Sequence, residues 1–280
     1  MTIHFIGIGG IGVSALAQYY LAKGHKIIGS DLASSETTEF LKKKGVKIII
    51  GNHKAKNLAG NTDLIIYSPA VKLNNPELNK GQKLKIKCQS YPEALGELTK
   101  QYFTIAVSGT HGKSTTTAML ALILIKAGLN PTVILGTKLK EFNDSNFRLG
   151  RGCVAGGNGS DNMGWHLPRE TSGAREILII EACEHFASFL NYWPNMIVLT
   201  NIGNDHLDYY KNLNNILKTF RKYIRHLPNN GVLVVNKEDA NTQKIISNFQ
   251  FPVPIQFSII NYHASKSNDA KELKKILKIP

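Results

Sequence analysis

Apolar runs of strand length alternate with helical periodicity over the first hundred residues. The run "IHFIGIGG" predicts a buried strand that enters a glycine turn, and "VSALAQYYLAKG" has the apolar spacing of a helix. Further strands are predicted at "KIIGSD", "VKIII", "DLIIYSPA" and "LKIKC", and further helices at "SETTEFLKKKG" and "YPEALGELTK". Because strands that alternate with helices pair in parallel, residues 1–100 are predicted to form a Rossmann-like α/β domain.

The same alternation starts again after residue 100. A strand at "YFTIAVSG" leads through a glycine-containing loop into a helix at "KSTTTAMLALILIKAG". Later strands at "EILIIEA", "MIVLTNI" and "GVLVVNKED" end near the polar residues Glu181, Asn201 and Asp239. Ligands of open parallel sheets bind at the carboxyl ends of strands, so these three residues are candidates for chemistry. Residues 101–280 are therefore predicted to form a P-loop-type α/β domain with a mostly parallel sheet.

The net charge of +14 raises the question of a nucleic-acid partner. Of the 34 basic residues 28 are lysine and six are arginine, whereas base recognition favours arginine. The lysines are spread along the chain, and the densest run is "KKK" at residues 42–44. We therefore expect a solvated basic surface and an anionic small-molecule partner, with no nucleic-acid partner.

The cysteines and the apolar runs of the chain indicate the cellular compartment in which we expect the protein. The three cysteines, Cys88, Cys153 and Cys183, are widely spaced without a C-x-x-C pair, which indicates neither a disulfide framework nor a zinc site. The longest apolar run, residues 118–125, is far shorter than a membrane span, and the N-terminus lacks the features of a signal peptide. We expect a cytoplasmic protein without membrane contact.

The first glycine loop has the spacing of a dinucleotide-binding turn. Gly7, Gly9 and Gly12 fit G-x-G-x-x-G with Gly10 as an extra glycine, and Asp31 ends the next strand 19 residues after Gly12. Such a loop brings backbone N–H groups close to a diphosphate, and the acid can accept from ribose hydroxyls. The pattern identifies a nucleotide diphosphate and no more, so a nicotinamide-dependent oxidoreductase and a tight turn without ligand remain alternatives.

The second glycine loop, "GTHGKST" from Gly109 to Thr115, lies between a predicted strand and a predicted helix. In this context Lys113 can neutralise the phosphates of ATP or GTP, and the Ser114 hydroxyl can bind Mg²⁺. The first glycine of G-x-x-x-x-G-K-[ST] is absent, because Val107 stands there. A carboxylate such as Glu181 is expected beside the metal. The alternative is that Glu181 and a later histidine are ordinary strand-end and capping residues.

Five sequence blocks together resemble the Mur ligases, the ATP-dependent ligases of peptidoglycan synthesis. The blocks "HFIGIGGIGVSALA" with "GSD", "SPAVKLNNPEL", "AVSGTHGKSTTT", "EACEHFASFL" and "TNIGNDHLDYY" occur in the family's order between residue 3 and about residue 240. In that family the nucleotide loop reads G-T-x-G-K-[ST]. Val107 therefore stands outside the motif, which begins at Gly109.

The resemblance implies that L-alanine is joined to UDP-N-acetylmuramate at the expense of ATP, through an acyl phosphate. It places ATP on Gly109, Thr110, His111, Gly112, Lys113, Ser114 and Thr115. It also implies that Ser114 and Glu181 hold one Mg²⁺, that His206 helps to hold a second, and that Lys113, Glu181 and His206 carry the catalysis. The UDP diphosphate is expected against Gly9, Gly10, Ile11 and Gly12, with Asp31 and Ser68 as further candidates.

The sequence departs from the family at three places. Many relatives read E-A-D-E-S-D where this chain reads "EACEHF", so no role is assigned to residues 183–186, and Cys183 is expected to be a buried structural thiol. The glycine-rich stretch 152–175, with Trp165 and His166, reads as an inserted loop without an assigned role.

The third departure is at the C-terminus, where relatives continue into a third domain with a G-x-H-N motif. The chain is therefore expected to be an N-terminal fragment, a split subunit or a degraded gene product, whose C-terminal domain is absent or separately encoded. An alternative function is then a module that binds nucleotide and UDP-sugar without turnover.

Overall fold

The structure, a computed structural model, describes residues 1–150, 176–247 and 255–257. The glycine-rich stretch 152–175, with Cys153, Trp165 and His166, lies outside the described residues. The described residues form two β-sheets, each combined with helices. This architecture confirms the predicted α/β class with two successive sheets.

The first sheet contains five parallel strands in the order β3-β2-β1-β4-β5. Its strands are β1 (Thr2–Ile6), β2 (Lys26–Asp31), β3 (Lys47–Ile50), β4 (Leu64–Tyr67) and β5 (Lys87–Ser90). Its helices are α1 (Ile11–Ala22), α2 (Glu36–Lys43), α3 (Pro76–Lys83) and α4 (Tyr91–Thr99). The sheet has the Rossmann-like arrangement that the sequence predicts.

Two details around α3 differ from the prediction. The sequence analysis did not predict α3, although Asn75 caps it by accepting from the N–H groups of Glu77 and Leu78. The strand predicted at "LKIKC" begins only at Lys87, because α3 extends to Lys83 and the following turn holds Lys85 at a φ of 56°. A left-handed residue cannot continue into a strand, so pairing with β4 starts after it.

The second sheet contains seven strands in the order β12-β11-β10-β6-β9-β7-β8. Its strands are β6 (Phe103–Ser108), β7 (Thr132–Leu139), β8 (Ser145–Arg148), β9 (Ile177–Glu181), β10 (Met196–Leu199), β11 (Val232–Asn236) and β12 (Ile255–Phe257). Its helices are α5 (Lys113–Lys126), α6 (Leu207–Tyr210), α7 (Leu213–Ile224) and α8 (Ala240–Ile246). Only β8 pairs antiparallel within this sheet as described, which confirms the prediction of a mostly parallel sheet.

The two halves pack directly against each other through α1. This helix contacts β7 and β8, and Gln18 exchanges hydrogen bonds with Ser145 and Asn146 across the junction. The hydroxyls of Tyr19 and Tyr102 lie 3.0 Å apart at the same junction. One hydrophobic core cluster accordingly contains residues of both sheets. The domain boundary near residue 100 stays a prediction, since the core is shared.

Among the described residues no helix combines the length and the apolar character that crossing a bilayer requires.

Candidate functional site

The second glycine loop connects β6 to α5 in a conformation that two of its glycines permit. Gly109 has a φ of 132°, and a Cβ there would lie 2.2 Å from Thr200 Oγ1. Gly112 has a φ of 80° at the N-cap of α5. Since side chains disfavour both backbone conformations, the glycines predicted from the motif are required by the fold of the loop itself.

The segment after β10 holds this loop in place through hydrogen bonds. Asn201 Oδ1 accepts from the His111 N–H at 3.0 Å, and Asn201 Nδ2 donates to the His111 carbonyl at 3.0 Å. The Thr200 hydroxyl donates to the same carbonyl at 2.7 Å, and Thr110 N donates to the Asn201 carbonyl at 2.9 Å. Asn201, a candidate from its place at a strand end, therefore positions the loop. The sequence analysis missed Thr200, whose role depends on the pairing of β10 with β6.

Another strand-end candidate, Asp239, lies at the start of α8. Its Oδ1 accepts from the Thr242 N–H at 2.7 Å and from the Ile202 N–H at 3.3 Å. Asp239 is therefore a helix N-cap that ties α8 to the segment after β10.

Lys113 is turned into the loop and its three ammonium donors are all used. Nζ donates to the carbonyls of Gly109 and Thr110 at 2.6 and 3.0 Å, and to Glu184 Oε1 at 3.0 Å. The Glu184 side chain is 2% exposed and that of Lys113 is 13% exposed, so this is a buried ion pair. A phosphate that binds Lys113 must replace one of these three acceptors.

Ser114 and Glu181 lie together at the start of α5 and the end of β9. The Ser114 hydroxyl donates to Glu181 Oε1 at 3.0 Å, and Glu181 Oε2 accepts from the Gly136 N–H at 2.9 Å. A Cβ on Gly136 would lie 2.6 Å from Glu181 Oε2. The hydroxyl and carboxylate oxygens are the hard donors that Mg²⁺ prefers, so this predicted pair fits that ion.

Glu184 extends the cluster towards His206. Glu184 Oε1 lies 3.8 Å from His206 Nε2, and the Tyr210 hydroxyl donates to the Glu184 carbonyl. Glu184 Oε2 lies 3.0 Å from Lys113 Nζ but has no hydrogen-bond partner among the described residues, although it is buried. The structure thus brings the predicted residues Lys113 and His206 to the two sides of one carboxylate.

The segment 183–186 is closer to the site than the sequence analysis expected. No role was assigned to these residues, whereas Glu184 pairs with the loop lysine. The signal in the sequence was a second glutamate three residues after Glu181, in a domain whose loop lysine needs a counter-charge. The expectation of a buried thiol at Cys183 is wrong, because this side chain is exposed.

The first glycine loop is held by the end of β2. The N–H groups of Gly7 and Ile8 donate to the Ser30 carbonyl at 2.8 and 3.2 Å. The Gly9 N–H donates to Asp31 Oδ2 at 2.7 Å. Asp31, a candidate for ribose recognition, is thus engaged with its own loop.

Ser68, the other weaker candidate, lies against the same loop. Its N–H donates to the Ile6 carbonyl at 2.9 Å, and its Cβ would be 2.9 Å from a Cβ on Gly7. The Gly7 backbone has a φ of 74°, which favours glycine independently of this contact. Ser68 therefore borders the loop that is predicted to bind the diphosphate.

Tyr91, which the sequence analysis did not single out, lies between the two loops. A Cβ on Gly12 would be 2.6 Å from Tyr91 Cζ, so the ring occupies the space beside the start of α1. Burial raises the pKa of Tyr91, and the nearby Glu181 carboxylate and Cys183 thiol raise it further. The phenol is therefore protonated at neutral pH and stands between the first loop and the Ser114–Glu181 pair.

We expect Gly12→Ala to destabilise the protein by about 1–3 kcal/mol, because its methyl group would overlap the Tyr91 ring. Urea unfolding measures this loss. The matched control is Gly10→Ala, where the nearest neighbour of a Cβ is the Gly7 carbonyl at 3.4 Å and little change is expected. In a Tyr91→Ala background the loss caused by Gly12→Ala should largely disappear. Equal losses in both backgrounds would rule out this contact.

Comparison with known protein families gives two matches that together span most of the chain. The model described as "Mur ligase family, catalytic domain" matches residues 2–103. The model described as "Mur ligase middle domain" matches residues 107–277.

Two curated relatives of this chain carry the same name. The UDP-N-acetylmuramate–L-alanine ligase of Clostridium botulinum strain Hall is 43% identical over 245 residues, and the ligase of that name from Aquifex aeolicus is 41% identical over 243 residues. Each match covers 87% of this chain and 48% of the relative. The chain thus spans about half the length of the curated relatives it matches.

Two solved structures have folds similar to that of this chain. The UDP-N-acetylmuramate–alanine ligase of Thermotoga maritima superposes with a TM-score of 0.71 at 30% identity, over 88% of this chain and 51% of that one. A UDP-N-acetylmuramate:L-alanyl-γ-D-glutamyl-meso-diaminopimelate ligase from Neisseria meningitides gives a TM-score of 0.76 at 25% identity, over 92% of this chain and 77% of that one. Each superposition covers most of this chain, so the likeness is not confined to one of the two sheets.

Proposed function

The chain belongs to the Mur ligase family, and from this premise we propose that it provides the UDP-sugar and ATP sites of an enzyme joining L-alanine to UDP-N-acetylmuramate. The main observation behind the proposal is a cluster of four side chains. In it Lys113 forms an ion pair with Glu184, and beside them the Ser114 hydroxyl donates a hydrogen bond to Glu181. This cluster lies at the carboxyl ends of parallel strands, where such folds bind nucleotides. The curated relatives named above have the activity that we propose.

ATP is proposed to bind along the second glycine loop, from Gly109 to Thr115. The helix N-terminus of α5 attracts phosphate, and the Lys113 ammonium is already at the loop. An incoming phosphate exchanges with the Gly109 and Thr110 carbonyls or with Glu184 as the acceptor of the Lys113 donors. The loop therefore holds its lysine in place before nucleotide arrives.

Mg²⁺ is proposed to bind at Ser114 and Glu181, with His206 beside a second ion. The fit rests on the hard oxygens of the first pair, the Ser114 hydroxyl and Glu181 Oε1, which lie 3.0 Å apart. When bound, the ion neutralises charge on the transferred phosphoryl group. Glu181 is oriented for this role by the Gly136 N–H.

The UDP diphosphate is proposed to bind at the N-terminus of α1. The N–H of Gly9 is taken by Asp31 and that of Gly10 by the Gly7 carbonyl. Within the described part of the chain the N–H groups of Ile11 and Gly12 have no partner, so they are the donors that face a ligand. Asp31 then stabilises the loop through its hydrogen bond with the Gly9 N–H. Gly9 and Gly10, which have no side chains, allow close approach of the diphosphate.

The proposed reaction has two steps. The lactyl carboxylate of the UDP-sugar accepts the γ-phosphoryl group of ATP, which releases ADP and leaves an acyl phosphate. The amine of L-alanine then attacks the acyl carbon, and inorganic phosphate leaves as the amide forms. Lys113 offsets the charge on the phosphoryl oxygens, and its pairing with Glu184 fixes its position.

The test is phosphate release from Mg-ATP by the 280-residue chain, with UDP-N-acetylmuramate and L-alanine added singly and together. Release that needs both substrates supports the ligase. Binding of ATP and UDP-sugar without release would instead support a binding module and contradict turnover by this chain. The Ser114→Ala variant should lose most of the phosphate release, while calorimetry should still detect binding of the UDP-sugar. Tight NAD binding without UDP-sugar binding would refute the proposal.

A further inference from the structure

Asn146 lies on β8 of the second sheet, and its side chain contacts the first turn of α1 in the other half of the chain. Its Nδ2 donates to the Ile11 carbonyl and lies 3.2 Å from the Ser14 hydroxyl. The sequence analysis did not single out Asn146, because it is 135 positions from Ile11 and the contact exists only in the folded chain. A residue of the half that is proposed to bind ATP therefore reaches the loop that is proposed to bind UDP.

The orientation of the Asn146 amide is fixed by its neighbours. Its Oδ1 accepts from Gln18 Nε2 at 2.9 Å, and Gln18 Oε1 accepts in turn from the Ser145 hydroxyl at 3.0 Å. Asn146 is 4% exposed and Gln18 is 3% exposed, so water does not compete for these hydrogen bonds. The Ile11 carbonyl can only accept, so the amide nitrogen and not the amide oxygen has to face it.

The Ile11 carbonyl belongs to the same peptide unit as the Gly12 N–H. This N–H is one of the two donors at the start of α1 that have no partner within the described part of the chain. Among the described residues no side chain caps α1, and its first turn contains no acidic residue that competes for the N–H. A donor at the carbonyl of a peptide unit polarises the unit and strengthens the hydrogen bond that its N–H makes. Asn146 and a diphosphate therefore bind opposite ends of one peptide.

Asn146 makes this contact from the buried side of α1 and leaves the ligand side open. Gly10 and Ile11 are exposed, whereas Ser14 and Asn146 are buried. The Ser14 hydroxyl donates to the same Ile11 carbonyl at 2.8 Å, so two buried side chains hold this one oxygen. A ligand from solvent can therefore reach the N–H groups of α1 without displacing Asn146.

We propose that Asn146 is a positioning residue for the UDP-sugar, which holds the peptide between Ile11 and Gly12 so that its N–H donates to the diphosphate. The proposal rests on the proposed function for the diphosphate site, and it adds to that site a residue from the other half of the chain. Asn146 is neutral and acts through the backbone of α1. It therefore contributes to the affinity for a nucleoside diphosphate and not to phosphoryl transfer.

The test compares the Asn146→Leu variant with the unmodified chain. Leucine has nearly the shape of asparagine but no donor, and it brings no charge near the diphosphate. We expect calorimetry to show that UDP-N-acetylmuramate binds about 5–10-fold more weakly, while the affinity for Mg-ATP is unchanged. The amide NMR signal of Gly12 should also shift, because it responds to the hydrogen bond at the carbonyl of its own peptide unit. A purely structural role of Asn146 would not produce this combination.

The matched control is Ser145→Ala, because Ser145 lies on the same strand and in the same buried network but donates to Gln18 and not to the Ile11 carbonyl. Its UDP-sugar affinity and its Gly12 signal should equal those of the unmodified chain. Asn146→Ala removes the same donor with a smaller side chain. It gives the same comparison if the leucine variant does not fold, and the same weakening of UDP-sugar binding is expected.

Three results would overturn the proposal while leaving the proposed function intact. They are UDP-sugar binding by the Asn146 variants that equals the unmodified chain, equal weakening of UDP-sugar and Mg-ATP binding, and a Gly12 signal that shifts as much in Ser145→Ala. Failure of the unmodified chain to bind UDP-sugar would refute the proposed function and this assignment together. The failure of the inference alone is thus distinguished from the failure of the proposed function.

Discussion

Replacing Lys113 with methionine is expected to abolish ATP binding and to destabilise the fold by about 3–5 kcal/mol. The reason for the second effect is Glu184, which is 2% exposed and would remain as a buried charge without its cationic partner. The carbonyls of Gly109 and Thr110 would also lose a donor. Urea unfolding measures the stability, and calorimetry with ATP measures the binding.

The double variant Lys113→Met with Glu184→Gln separates the two effects. Removing both charges leaves no unpaired ion, so most of the lost stability should return, while ATP binding should stay absent. Recovery of binding together with stability would show that Lys113 acts only through folding. A single variant as stable as the unmodified protein would contradict the buried ion pair.

The parts of the fold predicted correctly are those encoded in consecutive positions. The loop from Gly109 to Lys113 requires glycines at fixed offsets because its backbone turns sharply before α5, and that requirement is visible in one short string. Nine of the twelve described strands were also predicted, because a strand buried on both faces is a continuous apolar run, whereas β7, β8 and β12 were not predicted. The alternation of these runs with helices then predicted parallel sheets.

The residues missed are those whose role depends on which strands are neighbours. Thr200 reaches the loop because β10 pairs with β6, and Tyr91 reaches Gly12 because α4 follows the edge strand of the first sheet. No local pattern records either neighbour. The contact between His185 and His206 also could not be predicted from a local pattern. The turn with Phe186 in the left-handed region stacks the two rings only in the folded chain.

Asp31 shows how one pattern can carry two roles. An acid after the second strand of a glycine-loop unit predicts a ribose contact, yet here its Oδ2 accepts from the Gly9 N–H. Both roles need the same residue at the same strand end. Only the distance of 2.7 Å shows that this carboxylate braces the loop.

A second carboxylate, Glu77, supports the same loop from the opposite side of β2. It is fully buried and accepts from four side chains, those of His4, Ser30, His53 and Asn57, at distances of 2.6–2.9 Å. Ser30 in turn offers its carbonyl to the glycine loop. Burial alone would raise the pKa of Glu77, but the hydrogen bonds from His4, Asn57, His53 and Ser30 outweigh burial and lower the pKa to about 2.

Because of this lowered pKa, the free energy of unfolding depends on pH between about 4.5 and 2. Because the folded value of about 2 lies below the ordinary value of 4.5, the contribution of Glu77 is fully present above pH 4.5 and is lost as pH falls towards 2. The difference corresponds to about 3 kcal/mol of folding free energy. Unfolding by urea at a series of pH values between about 5 and 2 should show this loss.

Glu77→Gln isolates the effect, because glutamine keeps the size of the side chain but cannot ionise. We expect the variant to be about 3 kcal/mol less stable than the unmodified protein at neutral pH, with the gap closing as the pH approaches 2. The matched control is Glu39→Gln, since the pKa of the exposed Glu39 is also lowered by Lys42 and Ser34 but solvent screens that pair. A gap that stays constant with pH would mean that the shape of Glu77, and not its charge, holds β1, β2 and α3 together beneath the glycine loop.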